Sequence, residues 1–298
     1  MLEQVEVLMR KYIEDIGDSK SLKLYDMVPK GKRLRAKLIL KIAKNSEDAV
    51  KLAAIVELIH AASLLHDDVL DDAQTRRGVE SINYKFGNFR AIMLGDILYS
   101  KGFEMLTYMS SDISKEVSSA VTKLSVGELL DVELATKFND SEEIYFDMIY
   151  KKTASLIEAC AVCAALLSNR SVDKFRLYGK NLGLAFQIID DVLDIISSEE
   201  VLGKPAMSDL KEGKTTLPYI YMHKKLSQED KKRLKSLFLK DLTKEQREWI
   251  ILKMNETKAI ERSIDLAKKL GREALEVIKD ENLSELEQII NDMIIRDF

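Results

Sequence analysis

Two clusters of aspartates are the residues of this chain best suited to chemistry. The first cluster holds Asp67, Asp68 and Asp71, and the second holds Asp190, Asp191 and Asp194. Both follow the pattern Asp-Asp-x-x-Asp at the end of an otherwise apolar helical segment. Because residues four apart lie on one face of a helix, the first and last aspartate of each cluster can direct two carboxylates at one point.

This arrangement predicts metal binding. Carboxylates held so close repel one another unless a cation neutralises them, and the C-terminal end of a helix disfavours acidic residues. Oxygen ligands without a Cys or His partner suit Mg²⁺, which also takes phosphate oxygens as ligands. A solvated acidic helix end is the alternative, and it explains one such cluster better than two of the same design.

Cationic residues gather where the helical pattern breaks. The breaks lie at 27–33, 72–78 and 197–218, and two of them follow an aspartate cluster. The candidates among their Lys and Arg residues, with one just beyond the first break, are Lys32, Arg33, Arg35, Arg76, Arg77, Lys204 and Lys214. Because Arg and Lys are the usual partners of phosphate, the combination with two Mg²⁺ sites predicts a diphosphate substrate. His60 shares the helical face of Asp67 and is a further candidate, with a packed core histidine as the alternative.

Helices must position these residues. Apolar residues recur at helical spacing along most of the chain, and neither strand-like alternation nor a hairpin signal stands out. The pattern predicts helices near 38–43, 48–71, 89–109, 113–136, 141–168, 171–197, 215–224 and 228–240, with two more towards the C-terminus. We therefore expect an all-α fold in a single domain over residues 1–298.

Composition excludes several classes of protein. Basic and acidic residues alternate throughout and the formal net charge is −4, so a nucleic-acid partner is not expected. No uncharged apolar run reaches the ~18 residues of a membrane-spanning helix, and no targeting segment is recognised, so we expect a cytoplasmic enzyme. Cys160 and Cys163 lie in an apolar run and are interpreted as core residues rather than a metal or redox pair.

The sequence resembles the trans-isoprenyl diphosphate synthases, a family that includes polyprenyl synthases such as octaprenyl diphosphate synthase. Besides the aspartate clusters, the motifs appear in family order at 31–35, 57–60, 76–78, 94–96, 127–128, 152–153, 186–187, 203–204, 209–210 and 213–218. Each motif alone is weak, but the ordered set is specific and covers most of the chain. The resemblance implies an isoprenoid synthase helical bundle with a central apolar cavity and, as the expected assembly, a homodimer.

The resemblance also implies roles for individual residues. Asp67, Asp71 and Asp190 would bind Mg²⁺, supported by Asp68, Asp191 and Asp194. The allylic diphosphate, with farnesyl or geranyl diphosphate as the expected primer, would be held by Arg76, Lys152, Thr153, Gln187, Lys204 and Lys214. Isopentenyl diphosphate would be held by Lys32, Arg35, His60 and Arg77. Among these, Asp67, Asp71, Asp190, Lys152 and Lys204 are the expected catalytic set.

Three positions depart from the family pattern. Lys30 stands where a second glycine is usual, Ala36 where proline is usual, and Asp131 where glutamine is common. None of these changes removes a charged ligand, so the sequence does not indicate an inactive relative.

Product length follows from small residues beneath the first cluster. Ser63 lies about one turn, ~5.4 Å, from Asp67 on nearly the same face, with Ala62 further round. The family relates bulky residues there to short products, so the resemblance implies a medium or long chain of about C30–C40. A geranylgeranyl or farnesyl diphosphate synthase is the alternative, and a long product is expected to need membrane contact.

Three other functions share part of this pattern. A terpene cyclase would carry a different second metal motif. A di-iron protein would need Glu-x-x-His on two helices, and only Glu57 with His60 fits that motif. A subunit of a heteromeric synthase remains the alternative in which this chain needs a partner protein.

Overall fold

The computed structural model describes residues 1–44, 46–197 and 207–294. In the first half of the chain the α-helices are α1 Leu2–Glu14, α2 Ser19–Tyr25, α3 Leu34–Ile42, α4 Glu47–Leu70, α5 Ile82–Phe86, α6 Asn88–Leu106 and α7 Ser111–Leu134. There follow α8 Glu142–Ile149, a π-helical segment Tyr150–Ala154, α9 Ser155–Leu167, α10 Val172–Ile196, α11 Ser208–Lys211 and α12 Leu217–Lys225. The chain continues with α13 Gln228–Leu237, α14 Lys244–Thr257, α15 Ala259–Val277, a 3₁₀ turn Lys279–Glu281 and α16 Glu285–Ile294. The all-α prediction is confirmed.

The chain forms two compact units. Unit 1 comprises Met1–Ser119 with Ala159–Asp173, and unit 2 comprises Ala120–Glu158 with Lys174–Phe298. The single-domain interpretation stays a prediction.

The core of unit 1 is built around α4. The helix starts at Ser46, whose side chain accepts a hydrogen bond from Ala49 N–H, and Glu47 and Asp48 complement the dipole of its first turn. Among the described residues α4 alone is long and apolar enough to cross a membrane, but 72% of its apolar window is buried inside the protein. That burial is the pattern of a core helix, and α4 packs chiefly against α6.

The predicted helix at 141–168 is interrupted. The residues Tyr150–Ala154 form a π-helical turn between α8 and α9, a feature that often marks functional sites. This turn packs against α7, where a Cβ on Gly127 would come within 2.3 Å of the backbone nitrogen of Lys152. Only glycine permits that approach, and Lys152 and Thr153 are thereby held in the turn.

The structure contains a small β-ribbon that the sequence pattern does not predict. Thr75–Arg76 pairs antiparallel with Val79–Glu80, in the second of the predicted breaks. Arg77 and Gly78 form the turn with φ of 54° and 76°, as two-residue hairpins require. The helices α1, α2, α5 and α11 are also not predicted by the sequence pattern, and among the described residues three α-helices rather than two follow α13.

The remaining predicted helices are confirmed to within a few residues at each end. Cys160 and Cys163 are fully buried as free thiols, as the core interpretation predicts.

Candidate active site

The first aspartate cluster occupies the last turn of α4 in unit 1. Asp67 is partly exposed and Asp71, at the end of the helix, is exposed, whereas Asp68 is buried. The backbone N–H of Asp71 donates to the carbonyl of Asp67 at 2.9 Å, so the helical turn that joins the two is intact. As the spacing predicts, the first and last aspartates share one face and the middle one points elsewhere.

Asp68 is bound by an arginine of the ribbon. Arg76 places both Nε and Nη2 at 2.6 Å from Asp68 Oδ1, and its Nη2 lies 3.5 Å from Asp67 Oδ2. Burial raises the pKa of Asp68, an effect that Arg76 opposes. Arg76, predicted to hold the allylic diphosphate, is therefore engaged with the metal motif in this structure.

A cationic group lies beside α4 in unit 1. Arg35 Nη1 is 2.9 Å from His60 Nε2, and Arg77 donates from Nη1 to the carbonyl of Pro29 at 3.0 Å. Burial first, and then the charge of Arg35, hold the pKa of His60 well below 6.5. His60 is therefore neutral at pH 7, and its Nε2 accepts the hydrogen bond from Arg35.

The early loop is fitted to this group. The guanidinium of Arg77 packs on the backbone of Gly31, where a Cβ would meet its nitrogens at 2.8 Å. Lys32, next in the loop, is exposed to solvent. The structure thus brings together Arg35, His60 and Arg77, with Lys32 in the loop that Arg77 contacts.

The second aspartate cluster lies on α10 in unit 2. Asp190 is partly exposed, but Asp191 and Asp194 are only 4% and 2% exposed. Asp191 accepts hydrogen bonds from Tyr145 Oη at 2.5 Å and Gln187 Nε2 at 2.8 Å. Burial, and next the charge of Asp209, raise the pKa of Asp191 well above its usual range.

Asp194 binds the segment that begins at residue 207, where the described part of the chain resumes. Its Oδ1 accepts from Ser208 Oγ at 2.8 Å, and its Oδ2 accepts from the backbone N–H of Asp209 at 3.1 Å. Asp191 and Asp194 thus bind protein groups on the inside, and Asp190 is the member of the cluster that reaches solvent.

The residues of the π-helical turn join this cluster. Thr153 Oγ1 donates to Gln187 Oε1 at 2.7 Å, which continues the hydrogen-bond chain to Asp191. Lys152 Nζ lies 2.7 Å from Asp131 Oδ2 and 2.8 Å from Glu128 Oε2. Two carboxylates therefore hold Lys152, and Asp131 is the residue that departs from the family pattern.

A small pocket lies next to these groups in unit 2. Asp131, Tyr145, Lys214 and Thr216 are among its lining residues. Lys214 Nζ is 2.8 Å from Glu212 Oε2. Lys204 lies outside the described residues.

Tyr145 is the site residue that the sequence did not reveal, since it lies 46 positions from its partner Asp191. Asp131 was noticed only as a departure from the family pattern. In the sequence, a buried site tyrosine at helical spacing cannot be distinguished from an ordinary core tyrosine.

The positions predicted to set product length are small, as the sequence shows. Ala62 is fully buried, and Ser63 is half-buried with its Oγ donating to the carbonyl of His60 at 2.9 Å.

The donor set was compared with the needs of Mg²⁺. In the part of the chain that the structure describes, no three Asp, Glu, His or Cys side chains converge into a closed metal cage. Mg²⁺ commonly uses one or two carboxylates and fills its other positions with water and phosphate oxygens. The carboxylates of Asp67 and Asp71, and separately that of Asp190, reach solvent and fit that mode of binding.

Comparison with known proteins agrees with this chemistry. The polyprenyl synthetase family model matches residues 21–254. A short chain isoprenyl diphosphate synthase from Methanothermobacter thermautotrophicus is 37% identical over 262 residues, which cover 80% of each chain. The crystal structure of octaprenyl pyrophosphate synthase from Helicobacter pylori is 41% identical, with a TM-score of 0.94 over 99% of this chain and 98% of that one.

A further solved structure carries ligands. The polyprenyl synthase from Caulobacter crescentus, complexed with calcium and isoprenyl diphosphate, is 28% identical, with a TM-score of 0.91 over 99% of this chain and 94% of that one. The family match, the identity to the relatives and the shared fold agree with one another. This chain therefore belongs to the polyprenyl synthetase family, has the isoprenoid synthase fold and is a trans-prenyltransferase that acts on isoprenoid diphosphates.

Proposed function

We propose that this protein is a Mg²⁺-dependent synthase that condenses isopentenyl diphosphate with an allylic diphosphate to make an all-trans polyprenyl diphosphate. The observation that supports this best is that, in both clusters, some aspartates bind protein groups while others reach solvent. Asp68, Asp191 and Asp194 are buried and bound to protein groups, whereas Asp67, Asp71 and Asp190 reach solvent. Two independent motifs thus present the same kind of oxygen ligand.

The proposed substrate sites use the two groups of cations. Lys32, Arg35, His60 and Arg77 would bind isopentenyl diphosphate. Arg76, Lys152, Thr153, Gln187, Lys204 and Lys214 would bind the allylic diphosphate. Neutral His60 suits this task because its Nε2 can accept from Arg35 and so orient the guanidinium, which a protonated ring could not do.

The reaction requires that the charge on the departing diphosphate be stabilised and that the allylic cation be protected from water. Asp67 and Asp71, and separately Asp190, would hold Mg²⁺, which when bound supplies stabilisation of the negative charge of the departing diphosphate. The cationic side chains add to that stabilisation as the allylic C–O bond breaks. The double bond of isopentenyl diphosphate attacks the allylic carbon, a C–C bond forms, and one proton leaves to the released diphosphate. Apolar helix faces keep water from capturing the cation.

We further propose a product of about C30–C40, because the side chains of Ala62 and Ser63 are too small to stop a growing chain early. The octaprenyl synthase of Helicobacter pylori, which matches almost the whole chain, favours this length. The short chain synthase of Methanothermobacter thermautotrophicus favours the alternative, a geranylgeranyl or farnesyl diphosphate synthase.

We also propose a homodimer. Phe89 and Met93 on α6 are 84% and 48% exposed, and Ile92 beside them is 38% exposed. An apolar face of this kind on a soluble enzyme marks a contact surface, and a second copy of the chain is the expected occupant. Light scattering should give twice the chain mass of 33.9 kDa, and a monomer that elongates at full rate would contradict the proposal.

The test of function uses purified protein, Mg²⁺ and isopentenyl diphosphate with dimethylallyl, geranyl or farnesyl diphosphate. The dephosphorylated products are sized by reverse-phase chromatography. We expect a ladder that ends at one chain length of about C30–C40. A ladder ending at C15 or C20 would move the assignment to the short-chain alternative. Absence of elongation with every primer would point to the heteromeric-subunit alternative or to cyclase chemistry, and addition of a partner chain would test the first of these.

A further inference from the structure

Glu57 is a buried carboxylate that joins α4 to the start of α3, and the proposed reaction does not use it. Its side chain is 4% exposed. Glu57 Oε2 accepts from Arg33 Nη1 at 3.2 Å, and Glu57 Oε1 accepts from the backbone N–H of Ala36 at 3.0 Å. A buried carboxylate is unfavourable unless such bonds are made, so both oxygens have a defined task.

The bond to Ala36 caps a helix. Ala36 is the third residue of α3, where the backbone N–H has no acceptor within the helix and needs one from outside. The position before α3 is Arg33, whose φ of 53° is a conformation that L-residues avoid. Because the carboxylate also lies at the positive end of the helix dipole, Glu57 stabilises this turn twice over.

Arg33 and Arg35 have different kinds of partner. Arg33 is bound by Glu57 and also by Glu6 on α1, at 2.5 Å from Nε to Glu6 Oε1. Its charge is therefore compensated within the protein. Arg35, two residues later, instead reaches His60. Glu57 and His60 are three residues apart on α4 and so are neighbours on its surface. The same face of α4 therefore binds Arg33 through Glu57 and Arg35 through His60.

We infer that Glu57 is a positioning residue for the isopentenyl diphosphate site, an inference that depends on the proposed assignment of Arg35 and His60 to that site. Glu57 fixes the turn at Arg33 and the first turn of α3, and these set the direction from which Arg35 and Lys32 approach the diphosphate. It touches neither substrate in this scheme.

The test is steady-state kinetics of Glu57→Gln, which keeps the side-chain shape and removes the charge. The KM for isopentenyl diphosphate should rise about tenfold, as when a partner of a ligand-binding group is lost. The KM for the allylic diphosphate should stay within about twofold. If Glu57→Gln does not fold at the assay temperature, Glu57→Asp takes its place. That variant keeps the charge but withdraws it from Ala36, and the same split in KM is expected.

Glu158→Gln is the matched control. Glu158 is an equally buried carboxylate, 5% exposed, paired with Arg176 at 2.9 Å and outside both proposed substrate sites. It should lose stability without raising the KM for isopentenyl diphosphate. An unchanged KM in the Glu57 variant, or an equal rise for both substrates, overturns the positioning role.

Arg35→Gln, measured in parallel, tests the assignment of Arg35 to the isopentenyl diphosphate site independently of the role of Glu57. If Arg35→Gln raises the KM for isopentenyl diphosphate and the Glu57 variant does not, the positioning role alone is wrong. If Arg35→Gln has no effect in an enzyme that elongates, the site assignment is wrong and the inference falls with it.

Discussion

Lys152 Nζ lies 2.7 Å from Asp131 Oδ2, and Asp131 is 7% exposed. The lysine comes from the π-helical turn and the aspartate from α7, which meet because Gly127 lets the two backbones approach. Asp131, one of three positions at which this chain departs from the family pattern, thus helps to hold a proposed diphosphate ligand.

Replacing Asp131 should therefore weaken use of the allylic substrate. A charge-assisted hydrogen bond contributes ~1.5–3 kcal/mol, so Asp131→Asn should lower kcat/KM for the allylic diphosphate about tenfold or more. Asp147→Asn is the control, because Asp147 pairs with the adjacent Lys151 at 2.6 Å on an exposed surface. Equal losses in both variants would contradict a special role for the Lys152 pair.

Tyr145 should stabilise the second cluster through its bond to Asp191. Removing a hydroxyl that donates to a buried carboxylate is expected to lower the free energy of unfolding by ~1.5–3 kcal/mol in Tyr145→Phe. Tyr178→Phe is the matched control, since Tyr178 is equally buried but donates only a 3.4 Å bond to the carbonyl of Leu286. Urea denaturation measures both. A larger loss in Tyr178→Phe would refute the importance of the Tyr145 bond.

Neutral His60 predicts a pH dependence of stability. Burial and the charges of Arg35, Arg77, Arg76 and Arg33 lower its folded-state pKa below 6.5. In the unfolded chain the pKa of His60 has its ordinary value of 6.5. Between pH 6.5 and the lower folded-state pKa, the unfolded chain therefore binds more protons than the folded one. The His60 contribution is therefore complete above pH 6.5 and is lost as the pH falls through that window.

Thermal unfolding of wild type and His60→Gln at a series of pH values measures this effect. The melting temperature of the wild type should fall more steeply below pH 6.5 than that of the variant. Parallel curves would show that His60 does not titrate in this way.

Much of this architecture is readable from the sequence, because helical periodicity and the Asp-Asp-x-x-Asp spacing are local. The burial of Asp68 next to partly exposed Asp67 follows from the 100° rotation per residue. The π-helical turn is not readable, since Lys152 and Thr153 have the composition of an ordinary helix. Two-residue strands show no alternation, so the ribbon at Arg76 gives no signal. Partners such as Tyr145 and Asp191 meet only through tertiary packing.

Bulk at position 63 should shorten the product. Ser63→Phe places an aromatic ring about one turn from Asp67, ~5.4 Å along the helix, where a growing chain is expected to pass. Product sizing by chromatography should show a ladder ending one or more isoprene units earlier than in the wild type. Val7→Phe, at a position 68% exposed on α1, is the control. An unchanged ladder in Ser63→Phe would place the growing chain elsewhere.

The aspartates that reach solvent, Asp67, Asp71 and Asp190, are proposed to bind the Mg²⁺ that assists departure of the diphosphate. The most direct measurement is single-turnover release of diphosphate from the allylic substrate by wild type and Asp67→Ala at saturating Mg²⁺, with circular dichroism of both proteins. Loss of a metal ligand removes several kcal/mol of charge stabilisation, so Asp67→Ala should be slower by about a thousandfold while its helical spectrum is unchanged. Near-normal release in a folded Asp67→Ala variant would contradict the account.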